Sequence, residues 1–443
     1  MDTLVVYSAQ NSPRLKYVLD WLLKERLQLD YRITIDKNDI PDHGSFISYG
    51  SPSGGAVSVP SADFLWQTGI NPPEIAKGTW GDLPVIFAKD DEGYTLPFDL
   101  FSAIFYLLSR YEEYSSFTPD KHGRYLATAS VLYKNGWLMR PLVDEWVYAF
   151  RKILQSAMGE AIEGTPFLYQ PTYDIDMAYS HLHKGAGRII GAYLRAILKL
   201  DVVQITERIQ VLKKKQKDPF DSFRWLRQLH KQYDYKPVYF ILSADKTTPY
   251  DKNIHPQHPA MMRVIKNLVK EGDIGIHPSY YAEQKNLLEK EKKMLEHIAG
   301  KGVTISRQHY IRATAPGTYR MLLSQGIAED YTMGYGSNLG FRAGTGSSFF
   351  WYDLENENTT KLRIHPFCFM DTTAHYEAKL TPSQAFEKLE EMSKKLILTG
   401  STLITVFHNF SLGTGTEWKG WRLAYENFLH EKARSATVKQ YSV

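Results

Sequence analysis

The sequence predicts an α/β fold: a parallel sheet or a (β/α) barrel of about seven strands in the C-terminal part, preceded by a smaller N-terminal α/β domain. From Phe167 onward, short apolar runs alternate with helical patterns, which is typical of parallel strands joined by helical crossovers. Several of these runs stop at an ionisable residue, as strands do at the open end of a barrel. The segment Gly159–Thr165 is the candidate linker, so we expect one domain at 1–160 and a second at 167–443.

The first 160 residues show the periodicity of a small α/β unit. Their β-prone runs predict strands at Leu4–Tyr7, Tyr31–Ile35, Phe46–Tyr49 and Ala56–Val59. Apolar residues at helical spacing predict helices at Arg14–Glu25, Leu100–Tyr111 and Leu142–Met158. No motif in this unit assigns it a role.

The C-terminal part alternates strands with helices. Strands are predicted at Leu168–Tyr173, Pro237–Ser243, Asp273–His277, Val303–His309, Ile327–Asp330, Leu362–Phe367 and Thr402–His408. Helices are predicted at Pro259–Glu271, Ala282–Gly300, Pro316–Gly326 and Pro382–Leu398. A mostly helical insertion at about 180–235 follows the first strand, and its apolar segment Ile189–Leu200 favours packing over the barrel rather than contact with a membrane.

Composition narrows the class of protein. The 443 residues carry a net charge of +4, from 53 basic and 49 acidic residues, which does not support nucleic-acid binding. The single cysteine, Cys368, excludes an internal disulfide and a cysteine-rich zinc site. No apolar run reaches the about 18 residues of a membrane helix, and Met1–Tyr7 predicts a first strand rather than a signal peptide. We therefore expect a soluble, cytoplasmic protein without an integral membrane segment.

Ionisable side chains stand at the C-terminal ends of most predicted strands. They are Asp174, Asp176, His277, Arg307, His309, Asp330, His365 and His408. In a barrel these ends meet at one mouth, where carboxylates and imidazoles together form an oxygen and nitrogen metal site. A second interpretation stays open at each position, because an aspartate also caps helices and a histidine at a strand end also packs in cores.

Two short motifs give the chain a family resemblance. Thr172-Tyr173-Asp174-Ile175-Asp176 resembles the Thr-Phe-Asp-Asp-Gly motif of the polysaccharide deacetylases, and Val406-Phe407-His408 resembles their strand-ending histidine motif. Over about residues 167–443 the chain is similar to this family, the NodB-homology carbohydrate esterases of family 4. It looks closest to the long form with an extra N-terminal domain in Bacteroidetes-type proteins. The resemblance implies a distorted (β/α) barrel, a divalent metal that is usually zinc, and removal of acetyl groups from amino sugars.

The resemblance also implies a role for each motif residue. Asp174 would be the general base, and Arg307 would orient it. His408 would be the general acid. Asp176 and His277 would bind the metal.

The chain departs from the family in two motifs. Tyr281 stands where the family has its second metal-binding histidine. In the third motif, His309 stands where the family has a proline, and it is the candidate for the missing metal ligand. Substrate contacts are expected at Tyr310 and at Arg342, which lies in a loop rich in glycine and threonine.

The leading hypothesis is a metal-dependent hydrolase of non-peptide C–N bonds, most specifically the N-deacetylation of an amino sugar in a glycan or glycan precursor. The resemblance implies zinc as the cofactor and a carbohydrate as the substrate. One alternative keeps the fold but changes the substrate to a cyclic ureide or imide. Another, indicated by Tyr281, is a catalytically inactive barrel that binds a glycan or acts as a scaffold through residues 1–160.

Overall fold

The computed structural model describes residues 3–41, 46–52, 57–90, 92–185, 202–284 and 286–440. The apolar segment Ile189–Leu200, predicted to pack over the barrel, and Ala56, predicted to begin a strand, lie outside these residues. No helix within the described residues is both long enough and apolar enough to cross a membrane.

The N-terminal part combines a small parallel sheet with helices. Its strands are β1 (Leu4–Ser8), β2 (Tyr31–Thr34), β3 (Phe46–Tyr49), β4 (Val57–Val59), β5 (Lys77–Trp80) and β6 (Leu83–Ile86). Its helices are α1 (Pro13–Leu19, continuing as a π-helix over Asp20–Arg26), α2 (Leu100–Leu108), α3 (Val131–Lys134) and α4 (Leu142–Met158). The sheet has the order β2-β1-β3-β4, and β5 and β6 form an antiparallel hairpin. All strands and helices predicted in this part are present, and the hairpin and α3 are additional.

The C-terminal part is built on one curved sheet. Its described strands are β7 (Leu168–Ile175), β8 (Val238–Leu242), β9 (Asp273–His277), β10 (Ile305–Ser306), β11 (Glu329–Asp330), β12 (Phe349–Asp353), β13 (Asn358–Ile364), β14 (Phe369–Met370) and β15 (Thr402–His408). Their order is β12-β13-β11-β10-β9-β8-β7-β15-β14, and every pair is parallel except β12 with β13. The predicted count of about seven strands is therefore corrected to nine within the described residues. Strands β12 and β14 are the two that the sequence analysis did not predict.

The described helices of the C-terminal part connect or flank the strands of this sheet. They are α5 (Val202–Leu212), α6 (Phe223–Tyr233), α7 (Pro259–Leu268), α8 (Leu288–Ala299), α9 (Gly317–Ser324), α10 (Pro382–Thr399) and α11 (Trp421–Gln440). Helix α10 shows how the sequence sets their ends: Thr381 and Gln384 form a capping box at its start, and Gly400 ends it in a left-handed conformation with φ of 64°. The described part of the predicted insertion is helical, with α5 and α6.

Side chains that alternate along the strands fill the concave interior of the sheet. Phe240 of β8 packs there with Ile404 and Val406 of β15, on the far side of β7. Gly275 of β9 makes room for this ring, because a Cβ atom at Gly275 would lie 2.6 Å from Phe240. Contacts between strands that are not neighbours in the sheet show that it curls toward a barrel, so the C-terminal ends of its strands face one mouth.

The N-terminal part packs closely on the barrel. Asp144 of α4 is buried and accepts hydrogen bonds from Thr345 Oγ1 at 2.9 Å, the backbone nitrogen of Gly346 at 2.8 Å and Ser347 Oγ at 2.9 Å. Apolar residues from both parts belong to one continuous buried cluster. The loop 340–348 of the barrel is therefore held in place by residues from the first 160.

Candidate active site

Asp174 lies near the end of β7 and is held from across the barrel interior. The buried side chain of Arg307, which follows β10, donates from Nη1 to Asp174 Oδ1 at 2.7 Å and from Nη2 to Thr172 Oγ1 at 2.8 Å. Its Nε donates to the backbone carbonyl of Tyr331 at 3.0 Å, and its guanidinium carbon lies 4.2 Å from the centre of the Phe240 ring. The arginine is thus fixed in one orientation, and its charge stabilises the carboxylate that it meets.

Asp176, His277 and His309 come together at the mouth of the barrel. Each offers one ligand atom, and these atoms all lie within 4.8 Å of one another. His277 Nε2 lies 3.3 Å from Asp176 Oδ1, and His309 Nε2 lies 3.5 Å from Asp176 Oδ2. We call these three residues the Asp-His-His trio. It joins residues from the ends of β7 and β9 and from the segment after β10.

The donor set of the trio fits a divalent metal ion. Nδ1 of His277 lies 2.6 Å from the carbonyl oxygen of Arg307, which can only accept, so Nδ1 carries the proton and Nε2 presents a lone pair. That lone pair faces Asp176 Oδ1, a buried oxygen without a hydrogen-bond partner among the described residues. Two electron-pair donors therefore face each other, an arrangement that a cation between them stabilises.

Electrostatics at the trio also favour positive charge. Burial by itself would raise the pKa of Asp176, but the imidazoles around it, His309 foremost, hold that pKa well below its ordinary value. Burial by itself would lower the pKa of His309, but the carboxylates of Asp176 and Asp251 outweigh it and raise that pKa to about 9. The carboxylates thus create a region that attracts cations.

Asp251, in the loop between β8 and α7, positions the third member of the trio. Its Oδ1 lies 3.1 Å from His309 Nδ1, which leaves His309 Nε2 directed at Asp176. The same carboxylate accepts from Thr248 Oγ1 at 2.7 Å and from the backbone nitrogen of Tyr280 at 2.9 Å. A carboxylate behind an imidazole is the usual support of a histidine ligand. Asp251 was not among the sequence candidates, because it lies within a loop and not at a strand end.

His408 ends β15 and is held by a carboxylate that the sequence analysis missed. Asp371 follows β14 and accepts from His408 Nδ1 at 2.7 Å, from the His408 backbone nitrogen at 2.7 Å and from Ser411 Oγ. His408 Nε2 lies 3.4 Å from Asp176 Oδ2. Burial would lower the pKa of His408, but Asp371 and Asp176 raise it well above its ordinary value. Asp371 thus holds Nδ1 of His408, and Nε2 is directed at the site.

Tyr281 belongs to an aromatic cluster and is not part of the trio. Its ring lies 4.9 Å from that of Tyr280 and 6.1 Å from that of Tyr250, measured between centres. His309, and not Tyr281, lies with Asp176 and His277 in the trio.

Arg342 was expected to contact substrate, and the structure places it elsewhere. Its side chain is 2% exposed and donates to both carboxylate oxygens of Glu113, at 2.8 and 2.6 Å, and to the carbonyl of Gly334 at 3.1 Å. It does not line the cavity over the trio. These partners hold the guanidinium at the interface between the N-terminal part and the barrel.

A cavity of about 450 Å³ opens over the trio. Its floor is formed by Asp174, His408 and the trio, and Tyr310 lines it beside His309. Other lining residues come from the barrel loops and, unexpectedly, from the first 160 residues: Met177, Phe220, Tyr250, Lys252, Ile311, Gly336, Met370, Thr372, Tyr376, Glu377, Phe410, Glu417, Trp418, Lys121, His122 and Arg124. The last three carry no motif, so the sequence offered no signal for them.

The chain matches one protein family and several solved structures. Residues 4–159 match the model of a family of unknown function, DUF7033. No curated protein matches the chain.

Several solved structures are similar to part of this chain. One is a protein assigned as a polysaccharide deacetylase from Mycobacterium smegmatis, at 14% identity, with 61% of this chain and 85% of that chain covered and a TM-score of 0.38. The Puue allantoinase is similar at 14% identity, over 61% of this chain and 84% of its own, with a TM-score of 0.38. A polysaccharide deacetylase from Bacillus cereus is similar at 12% identity. The match covers 60% of this chain and 88% of that chain, with a TM-score of 0.29.

Proposed function

We propose that this protein is a metal-dependent hydrolase of non-peptide C–N bonds, and that its reaction is the N-deacetylation of an amino sugar in a glycan or glycan precursor. One observation carries the proposal: three chemical functions meet in a single cavity. They are the Asp-His-His trio, the carboxylate of Asp174 held by Arg307, and the imidazole of His408 held by Asp371.

Asp176, His277 and His309 are the residues that would hold the metal ion. A divalent ion bound there acts as a Lewis acid on the scissile carbonyl and lowers the pKa of water toward about 7. The possible ligands are two imidazole nitrogens and one carboxylate, a set that suits zinc.

Asp174 is placed to act as the general base. Arg307 occupies its Oδ1, and its Oδ2 lies 3.7 Å from His277 Nε2, so this second oxygen faces the trio. It accepts a proton from the attacking water as the oxygen of that water bonds to the amide carbon. Proton transfer by a positioned side chain contributes about 10²- to 10⁴-fold to the rate.

His408 is placed to act as the general acid. As the bond between the carbonyl carbon and nitrogen breaks, the leaving nitrogen takes the proton of His408 Nε2. The products are acetate and the free amine, and Asp174 and His408 exchange protons with solvent to return to their starting states. Asp371 keeps His408 oriented throughout and holds the proton of Nδ1 in place, because it accepts from Nδ1 and from the backbone nitrogen of the same residue.

Acetate release from N-acetylated glucosamine oligosaccharides, followed by proton NMR, tests the proposal. Wild-type protein loaded with zinc releases acetate, and Asp174→Asn lowers kcat by about 10²- to 10⁴-fold while metal content measured by elemental mass spectrometry is unchanged. Asp273→Asn is the matched control, because its carboxylate lies at the opposite end of β9 and pairs with the exposed Lys236. Full activity of Asp174→Asn would remove Asp174 from the mechanism.

The same assay separates the alternatives. A panel that includes small cyclic ureides and imides is run beside the sugars. Turnover of the cyclic amides without acetate release from sugars supports the ureide hydrolase. Sugar binding without turnover of either class supports a catalytically inactive glycan-binding barrel.

A further inference from the structure

Residues 120–124 of the N-terminal part form a compact turn at the edge of the cavity, which we call the wall turn. Asp120 organises it: its Oδ1 accepts from the backbone nitrogens of His122 at 2.8 Å and Arg124 at 2.9 Å, and its Oδ2 accepts from Arg124 Nε at 2.7 Å. A hydrogen bond of 2.9 Å from the nitrogen of Gly123 to the carbonyl of Asp120 closes the turn. Its shape is therefore set by its own residues.

The wall turn is attached to the barrel directly beside the trio. Arg124 Nη1 donates to the carbonyl of Tyr310 at 2.9 Å, and Arg312 Nε donates to the carbonyl of His122 at 2.9 Å. His122 Nδ1 lies 2.9 Å from the Tyr280 hydroxyl, and its ring lies 4.9 Å from the Tyr310 ring. The turn is thus bonded to the residue that follows His309, and it is a fixed part of the site.

Two groups of residues of different chemistry line the cavity. The wall turn supplies Lys121 and His122 beside the segment after β10, and Tyr376, Phe410 and Trp418 come from the segments after β14 and β15. The cavity volume of about 450 Å³ lies in the lower part of the roughly 300–1,000 Å³ range of pockets that bind small ligands. This space suits a short sugar better than a polymer strand.

We propose that the wall turn is part of the substrate site, and that Lys121 and His122 bind the sugar unit that is cut, so that the protein acts on short or terminal amino sugars and not on the interior of a long polysaccharide. The inference rests on the proposed function and specifies its substrate class. It also gives residues 1–160 a role in substrate selection.

The position of the wall turn gives the physical reason. An interior sugar must continue as polymer on both sides of the cleaved unit, so it needs a groove with two exits. The wall turn stands next to Tyr310 on one side of the trio, where such a second exit would lie. A lysine ammonium and an imidazole also offer the hydrogen bonds that sugar hydroxyls need.

Binding to a protein that cannot turn over its ligand tests the inference. N-acetylglucosamine oligomers from the monosaccharide to the hexasaccharide are titrated by calorimetry into zinc-loaded Asp174→Asn protein, with and without the added pair Lys121→Ala and His122→Ala. The added pair Lys266→Ala and His297→Ala is the matched control, because these residues lie exposed on α7 and α8.

We expect the short sugars to bind best, with no gain in affinity beyond the disaccharide. The wall-turn pair should weaken their binding by about tenfold, and the control pair should not change it. Three outcomes would each overturn the inference. They are equal sugar affinity of the wall-turn variant and the control variant, affinity that rises steadily with the length of the sugar chain, and no binding of any sugar. Sugar binding that follows the expected pattern without acetate release by the wild type would refute the proposed reaction and leave the wall turn as a binding element.

Discussion

At the scale of single residues, the site depends on carboxylates that hold histidines. Asp251 stands behind His309, and Asp371 stands behind His408. Each histidine has one nitrogen at its carboxylate and the other directed at Asp176. The chemistry of the mouth is therefore set as much by these two supports as by the histidines themselves.

Asp371→Asn should lower kcat by about 10²- to 10³-fold with little change in KM, because an unsupported His408 is a poorer proton donor but does not hold the substrate. Steady-state kinetics of acetate release checks this, together with Asp371→Glu, which keeps the carboxylate and should recover part of the rate. The exposed Asp30→Asn is the control. An unchanged kcat for Asp371→Asn would show that His408 does not need this partner.

A further prediction concerns how Glu291 of α8 makes the stability of the protein depend on pH. Its side chain is buried and accepts from the backbone nitrogen of Ser279 at 2.8 Å, in the loop after His277. Burial raises the pKa of Glu291 from 4.5 to about 7. Between those two values the unfolded chain binds fewer protons than the folded protein, so the free energy of unfolding should fall by about 3 kcal/mol as pH rises through this window.

Glu291→Gln should remove this decrease in the free energy of unfolding, because an amide stays neutral and its oxygen can still accept a hydrogen bond from the backbone nitrogen of Ser279. Urea unfolding at several pH values between 4.5 and 7.5 measures it, with the exposed Glu160→Gln as control. The variant should be more stable than the wild type at pH 7.5 and similar to it at pH 4.5. The same pH slope in both proteins would refute the prediction.

Sequence reasoning found the residues at strand ends and missed their supports. The pattern of short strands that stop at Asp174, His277 and His408 is local, so it can be read from neighbouring residues. Asp251 lies in a loop and Asp371 follows a two-residue strand, and neither has a periodic signal around it. Their importance comes from contacts with residues 58 and 37 positions away in the chain.

At the scale of elements, the turn after β10 shows how the N-terminal part shapes the site. Tyr310 has φ of 58°, a left-handed conformation that is uncommon for a residue with a side chain. Arg124 Nη1 donates a hydrogen bond to the carbonyl of Tyr310. Gly336 leaves room for the Arg124 side chain, because a Cβ atom at Gly336 would lie 2.1 Å from Arg124 Nη1. The conformation beside His309 is therefore held from outside the barrel.

Gly336→Ala should displace Arg124 and loosen the segment that carries His309. We expect the zinc affinity, measured by competition with a chromophoric chelator, to fall by about 10- to 100-fold, as it does when the support of a ligand is lost. Gly302→Ala is the matched control, because it is an exposed glycine with nothing within 4 Å of its added Cβ. Equal zinc affinity in the two variants would show that Arg124 does not act on His309.

At the scale of the whole molecule, buried ion pairs join the N-terminal part to the barrel. Glu113 accepts from Arg342 Nε and Nη2, and from Arg110 Nε at 2.9 Å. Burial would raise the pKa of Glu113, but Arg342 and Arg110 outweigh it and lower that pKa from 4.5 to about 2. The stability that this carboxylate contributes is present above pH 4.5 and is lost as pH falls toward 2.

Glu113→Gln should destabilise the protein by about 3–5 kcal/mol at pH 7, because it leaves two buried arginines without their shared carboxylate. Chemical denaturation measures the loss, which should shrink as pH falls from 4.5 toward 2. Glu289→Gln removes an exposed ion pair with Lys293 and should leave the unfolding midpoint unchanged. A wild-type-like midpoint for Glu113→Gln would show that the interface does not depend on this cluster.

The sequence by itself determined the alternation of strands and helices and which ionisable side chains end the strands, because both follow from local periodicity and from where each strand ends. Only the tertiary structure decided that His309 joins Asp176 and His277, that Arg342 turns to Glu113, and that the wall turn lines the cavity. These outcomes depend on how a curled sheet and a packed N-terminal part bring distant residues together. That geometry is set by the packing of the whole chain, and no short stretch of sequence records it.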